Sequence, residues 1–140
     1  MIVLDVGVWL AAAWDRHAHH EAVKRWFDGE EDALVLCRVT QMALLRLLSS
    51  PSVMGADVRS RRRAWGVVDE FRSDTRVRSA SEPLQVESVW RALSARDDGS
   101  HKPWTDDYLA AFAQVAEARL ATLDRSFRAR YPSVDVELLI

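Results

Sequence analysis

The sequence predicts an α/β fold of the three-layer α/β/α kind, on a mostly parallel sheet of four to five strands. Three observations predict it. Ile2-Val3-Leu4 is a short apolar run closed by Asp5 and followed by a helix-compatible segment, Val8 to Ala13. Ala33-Leu34-Val35-Leu36-Cys37 reads as a second buried strand, with the helical run Met42 to Leu48 behind it. Leu120-Ala121-Thr122-Leu123 is a third strand, closed by Asp124. It is preceded by a helix whose Leu109, Phe112, Ala113 and Ala116 fall at i, i+3, i+4 and i+7, one face of an amphipathic helix. Alternating strand and helix patterns of this kind belong to a parallel sheet with helical crossovers.

A chain of 140 residues predicts one domain, residues 1–140, with a core of its own. Hydrophobic residues make up 49% and charged residues 29%, which excludes a disordered chain. The net charge of -2 excludes a strongly basic whole-molecule field, so any nucleic-acid surface must be local. Cys37 is the sole cysteine, which rules out an internal disulfide or a cysteine-cluster metal site and suits a reducing cytoplasm. Neither a signal-peptide pattern nor a membrane-length apolar run is present, so a cytoplasmic protein without membrane contact is expected.

Between the first two strands, His17, His19 and His20 lead into a helix carrying Val23, Trp26 and Phe27. No zinc-type spacing accompanies these histidines, and a solvated loop and helix start is expected. Gly29 stops that helix. The helix after Cys37 must end before Pro51, because the residue preceding proline avoids the α region. The stretch 57–63 holds Arg59, Arg61, Arg62 and Arg63, ahead of an apolar face of Ala64, Val67, Val68 and Phe71. Its arginines are either a phosphate-tracking surface or a solvated helix face. Val77 to Ala80 reads as a short strand, and Ser81-Glu82-Pro83 as a helix start ahead of Val86, Val89, Trp90 and Leu93. The loop 97–103, with Asp97 and Asp98 as ordinary loop acids, delivers the chain to Asp106. Val134 to Leu138 alternates with period two, as an edge strand does. Trp26, Trp65 and Trp90 lie on or beside apolar stripes and are expected in the core or a dimer contact.

In an open parallel sheet, function gathers at the carboxyl ends of the strands. Asp5 and Asp124 close two strands and Asp106 opens a helix, so the three are expected to meet. Carboxylates brought together repel, and the remedies are a raised pKa or a bound cation. An all-oxygen site suits Mg²⁺ or Mn²⁺ better than zinc. The competing assignments are an N-cap for Asp106, a turn for Asp124 and an arginine pair for Asp5.

The leading Ile2-Val3-Leu4-Asp5, the Asp106 that opens a Tyr108-Leu109-Ala110-Ala111 helix, and the strand end Thr122-Leu123-Asp124 together resemble a PIN domain. More narrowly the chain resembles VapC, the ribonuclease toxin of type II toxin–antitoxin pairs, along its whole length. The resemblance implies an endoribonuclease dependent on Mg²⁺ or Mn²⁺, with Asp5, Asp106 and Asp124 as catalytic and metal-holding residues and Thr122 supporting them. It also implies a structured RNA substrate, a tRNA or a ribosomal RNA, a cognate antitoxin of the VapB type, and a homodimer. Arg59, Arg61 and Arg62 would flank the RNA, and Trp104 would stack on a base. The family's fourth acid is missing: Gln41 and Ala43 stand where it is expected, and Gly7 stands where a small polar residue is frequent. Gln41 would be a weak neutral ligand at most, with Asp107 the alternative. Two other functions fit the acids. One is a catalytically weak PIN-like module acting through RNA or antitoxin binding and operon autoregulation. The other is a phosphotransfer regulator, which Lys24 and Lys102, the only lysines, suit poorly.

Overall fold

The computed structural model describes residues 1–140. Five strands, β1 (Ile2–Leu4), β2 (Leu34–Val35), β3 (Val77–Arg78), β4 (Arg119–Thr122) and β5 (Val136–Leu138), form one sheet in the order β3-β2-β1-β4-β5. Every neighbouring pair is parallel, and Ile2 of the central strand lies opposite both Leu34 and Arg119. The chain thus lays strands to one side of β1, then returns to lay β4 and β5 on the other.

That reversal sorts the helices. Between β1 and β3 run α1 (Val6–Ala13), α2 (His20–Gly29), α3 (Arg38–Leu48), α4 (Pro51–Met54) and α5 (Arg61–Ser73); after β3 come α6 (Val86–Ser94), α7 (Trp104–Val115) and α8 (Phe127–Arg130). The strands alternate between two cores. Ile2, Leu4, Leu34, Leu36 and Ala121 pack with α1, α2, α3 and α5, whereas Val3, Val35, Leu120 and Val136 pack with α6, α7 and α8. Strands covered on both faces must be apolar on both, which is why they read as unbroken runs and not as alternating ones. The expected three-layer α/β/α architecture is the observed one.

The first core is built around Trp9, fully buried, whose ring meets Phe71 at 4.9 Å and Phe27 at 6.1 Å, both edge-on. At the amino edge of the sheet Arg119 joins Asp32 at 2.9 Å, Glu137 at 3.0 Å and Glu30 at 3.4 Å. Trp26 also donates to Glu137 there, at 2.9 Å.

Some boundaries differ from those expected. α3 begins at Arg38, so Thr40 and Gln41 lie in its first turn. α4 and a 3-10 turn at Gly55–Asp57 fill the stretch after Pro51, with Gly55 at φ 56°. α6 begins at Val86 and not at Pro83, because Val86 N–H bonds the Pro83 carbonyl in a turn that leaves Leu84 fully exposed. Of the two places expected for Trp65, the core is ruled out: it is 46% exposed, one position off the stripe formed by Ala64, Val67 and Val68. No helix is long and apolar enough to cross a membrane.

Trp9→Ala should cost about 3–5 kcal/mol of stability, the usual range for emptying a large aromatic site. Trp9→Phe should cost much less, because the Trp9 Nε1–H has no hydrogen-bond partner to lose. Urea unfolding of the three proteins measures both.

Candidate active site at the carboxyl edge of the sheet

β1 and β4 are neighbours in the sheet but far apart in the chain, and their connections leave in opposite directions. Such a switch point opens a crevice at the carboxyl ends of the two strands. Asp5 follows β1 and Asp124 follows β4, so each borders the crevice. The Asp5 N–H bonds the Ala121 carbonyl at 3.0 Å, which sets the two strand ends level. Asp106 reaches the same place from the first turn of α7.

The carboxylates are held by a small set of contacts. Asp5 caps α1: one oxygen accepts from the Val6 N–H at 2.7 Å, and the other accepts from the Thr122 hydroxyl at 3.0 Å. Thr122 Oγ1 in turn accepts from the Asp124 N–H at 3.0 Å, so one buried hydroxyl couples two of the acids. Asp124 also accepts from the Ser126 N–H and hydroxyl at 2.9 and 2.7 Å. The guanidinium of Arg130 stands between the remaining pair, with Nη2 at 3.0 Å from Asp106 and 2.5 Å from Asp124.

The charges respond accordingly. Burial pushes the Asp5 carboxyl above its ordinary value; the Thr122 hydrogen bond opposes the rise, and the charges of Asp106 and Asp124 add to it. Asp106 is also raised, by burial first, against the pull of Arg130. Burial pushes Asp124 up as well, but the Ser126 hydrogen bonds and Arg130 outweigh it and hold the group below the ordinary value.

The structure therefore brings Asp5, Asp106, Asp124 and Thr122 together. It disposes of other candidates differently. Asp107 is buried and accepts from the Tyr131 hydroxyl at 2.6 Å, a contact between α7 and the end of α8. The carbonyl oxygen of Gln41 accepts from Arg38 at 2.8 Å and from Arg72 at 3.2 Å, so the atom a cation would use is held by two guanidinium groups. Arg59, Arg61 and Arg62 lie at the other end of α3: the Arg59 N–H bonds the Leu48 carbonyl, about 10 Å along the helix from Gln41. Arg61 lines a cavity with Arg46 and Ser49 there. Trp104 is half-exposed, two residues before Asp106. His17 and His19 stand in a loop; the three acids share the crevice but, with Arg130 between two of them, do not converge as a ready metal-ligand group.

Arg130 is the crevice residue that the sequence concealed. Its only signal is position, six residues after Asp124 on a segment whose Phe127 and Tyr131 anchor it in the core. Its guanidinium lies 5.5 Å from the centre of each of those rings.

The PIN domain family matches residues 2–131. Ribonuclease VapC41 of Mycobacterium tuberculosis is 37% identical, over 99% of each chain. The fold is similar to that of M. tuberculosis VapC20, described as a Sarcin-Ricin loop cleaving toxin, with a TM-score of 0.70 at 18% identity over 92% of this chain and 94% of that one. It is equally similar to the Rickettsia felis VapBC2 complex bound to a DNA fragment from its promoter, with a TM-score of 0.71 at 13% identity over 100% of both chains.

The shifts at Asp5 and Asp106 make metal-free stability depend on pH. A carboxyl raised in the folded state binds its proton more tightly there than in the unfolded chain. Its contribution grows as pH falls from neutrality through the raised value and is complete below the ordinary carboxylate value. Asp124, lowered, works in the opposite sense, and its contribution is lost as pH falls through its lowered value. In chelator, Asp5→Asn should therefore raise the melting temperature at pH 7 and lose that advantage toward pH 4. A melting temperature that is lower at both values would show that the Asp5 charge is not a burden on the fold.

Proposed function

The chain belongs to the PIN-domain family, among the VapC ribonucleases, and from that premise we propose that it is a metal-dependent endoribonuclease toxin that cleaves a structured cellular RNA, a tRNA or a ribosomal RNA, and is neutralised by a cognate VapB-like antitoxin. The observation that carries the reading is the cation between the acids. Arg130 bridges Asp106 and Asp124 beside the half-buried Asp5, so the crevice is built to hold positive charge.

The donor set fits Mg²⁺ or Mn²⁺, since every group facing the crevice from the acids and Thr122 offers oxygen. A bound ion of that kind supplies a water ionised near neutral pH and charge to offset developing oxyanions. Asp5 and Asp124 would hold the cation, and Asp106 would either share it or accept a proton from the attacking water. Thr122 fixes the orientation of the Asp5 carboxylate through its hydroxyl. For this to happen Arg130 must give up its carboxylates, and a guanidinium so released is well suited to a phosphate.

The antitoxin assignment draws on the similar solved structures, which include the VapBC2 complex of R. felis. A second reading, a catalytically weak module acting through RNA or antitoxin binding, draws on the grip of Arg130 on two of the acids.

Cleavage-site mapping on total RNA decides between them. The wild type should cut in Mg²⁺ or Mn²⁺ and stop in chelator. Asp5→Asn, Asp106→Asn and Asp124→Asn should each lose cleavage by roughly 10²–10³-fold or more, and the losses should not add, because the acids act as a unit. Full activity in any two variants removes the site, and no cleavage by the wild type favours the second reading. Arg130→Met should tighten Mn²⁺ binding measured by calorimetry; an unchanged affinity would mean that the guanidinium and the ion do not share the carboxylates.

A further inference from the structure

A cavity of about 700 Å³ opens between the first turns of α3 and α7 and the segment that follows β3. Trp90, Trp104 and Tyr108 line it from one side, and Arg38 and Gln41 from the other. We propose that this cavity is a nucleobase site, which takes one unpaired base of the RNA while the neighbouring phosphodiester lies at Asp5, Asp106 and Asp124. The proposal rests on the ribonuclease reading and adds to it a means of selecting the bond to be cut.

Aromatic surface is the first observation. Trp90 meets Trp104 at 6.3 Å and Tyr108 at 5.4 Å, edge-on in both cases, so the three rings brace one another. The Trp90 indole N–H also donates to the Trp104 carbonyl at 3.2 Å, which tethers the Trp104 backbone. Trp104 is nonetheless 54% exposed. A braced, exposed indole is a platform on which a base can stack.

The second is an unpaired donor. Gln41 is 2% exposed and its carbonyl oxygen is occupied by Arg38 and Arg72, yet its Nε2 has no hydrogen-bond partner. A buried amide N–H left unpaired is costly, and the ring nitrogens and carbonyls of a base are acceptors that would relieve it.

Charge and continuity are the third. Arg38 is exposed at the rim, where a guanidinium suits a phosphate, and Glu82 uses only one carboxylate oxygen on the Tyr108 hydroxyl, at 2.7 Å. The cavity opens at the carboxyl end of β2, whose neighbour β1 is closed by Asp5, and Thr105 on its wall is followed in α7 by Asp106. The cavity and the acids therefore lie at the same, carboxyl edge of the sheet. A base offers a flat face, edge acceptors and an adjacent anion; an apolar peptide would leave the arginines and the Gln41 amide unmatched.

The test uses the purified full chain in chelator, with fluorescein-labelled single-stranded RNA decamers of each base and an abasic decamer, followed by fluorescence anisotropy. The wild type should bind at least one base-bearing decamer more tightly than the abasic chain. Trp104→Ala should reduce that preference by about ten- to a hundredfold, Trp104→Phe should keep most of it, and Gln41→Leu should reduce it while the abasic affinity stays the same. Equal binding of abasic and base-bearing decamers by the wild type overturns the proposal. So does a Gln41→Leu protein that gains stability in urea and keeps the full preference, since its amide would then have been idle. Metal-dependent cleavage without a base preference sinks the pocket alone. A base preference without any cleavage of total RNA sinks the ribonuclease reading and supports the pocket.

Discussion

Like charge held in a confined space is the constraint on which the site depends. At the switch point between β1 and β4 the fold fixes two carboxylates at strand ends and brings a third from a helix, in surroundings that raise two of them. In water such repulsion would be modest; in a partly buried crevice it is several times larger. The backbone supplies part of the remedy, through the Val6 N–H that donates to Asp5 and the Ser126 N–H that donates to Asp124. Arg130 supplies the rest. The remainder of the domain can be understood as the frame that keeps these groups in place, since strands of two to four residues hold only because both faces are buried.

Two arginines illustrate two ways of spending a charge. Arg119 at the amino edge joins three carboxylates from different segments, on a side of the sheet that no proposed chemistry uses. Its partners are partly exposed, so the network ties segments together more than it stabilises them. Arg130 at the carboxyl edge is carried by a four-residue helix whose Phe127 and Tyr131 are buried and whose end is locked to α7 by the Tyr131–Asp107 hydrogen bond. The anchor is buried, and the side chain it carries reaches out of the core to 36% exposure. That combination lets a cation stay with the acids in the resting protein and leave them without disturbing the core.

The elements that carry the acids were legible because each is a short apolar run closed by aspartate, and parallel strands must read that way. α7 was legible from its stripe. Arg130 was not, because Arg125, Arg128 and Arg130 are equivalent in sequence and only the placement of α8 decides which one faces inward. Arg59, Arg61 and Arg62 drew attention by clustering, yet clustering says nothing about which end of α3 they occupy. The start of α6 was misjudged for a local reason: proline suits a turn as well as a first helical turn, and the Val86 to Pro83 hydrogen bond chose the turn. Trp65 lies beside its stripe, a position that does not by itself distinguish core from exposed surface.

Gln41 shows how one neutral residue can change the task of a helix start. Where the family resemblance expects an acid on this first turn of α3, a carboxylate here would be claimed by Arg38 and Arg72 and neutralised by them. An amide accepts the same two guanidinium groups on one atom and keeps a donor on the other, which the protein itself leaves unpaired. An acid at this position could only accept, whereas the amide can meet an acceptor. The departure from the family pattern thus moves this turn from the holding of cations toward the wall of the neighbouring cavity, and it leaves Asp5, Asp106 and Asp124, with Arg130 between two of them, as the charged centre of the crevice.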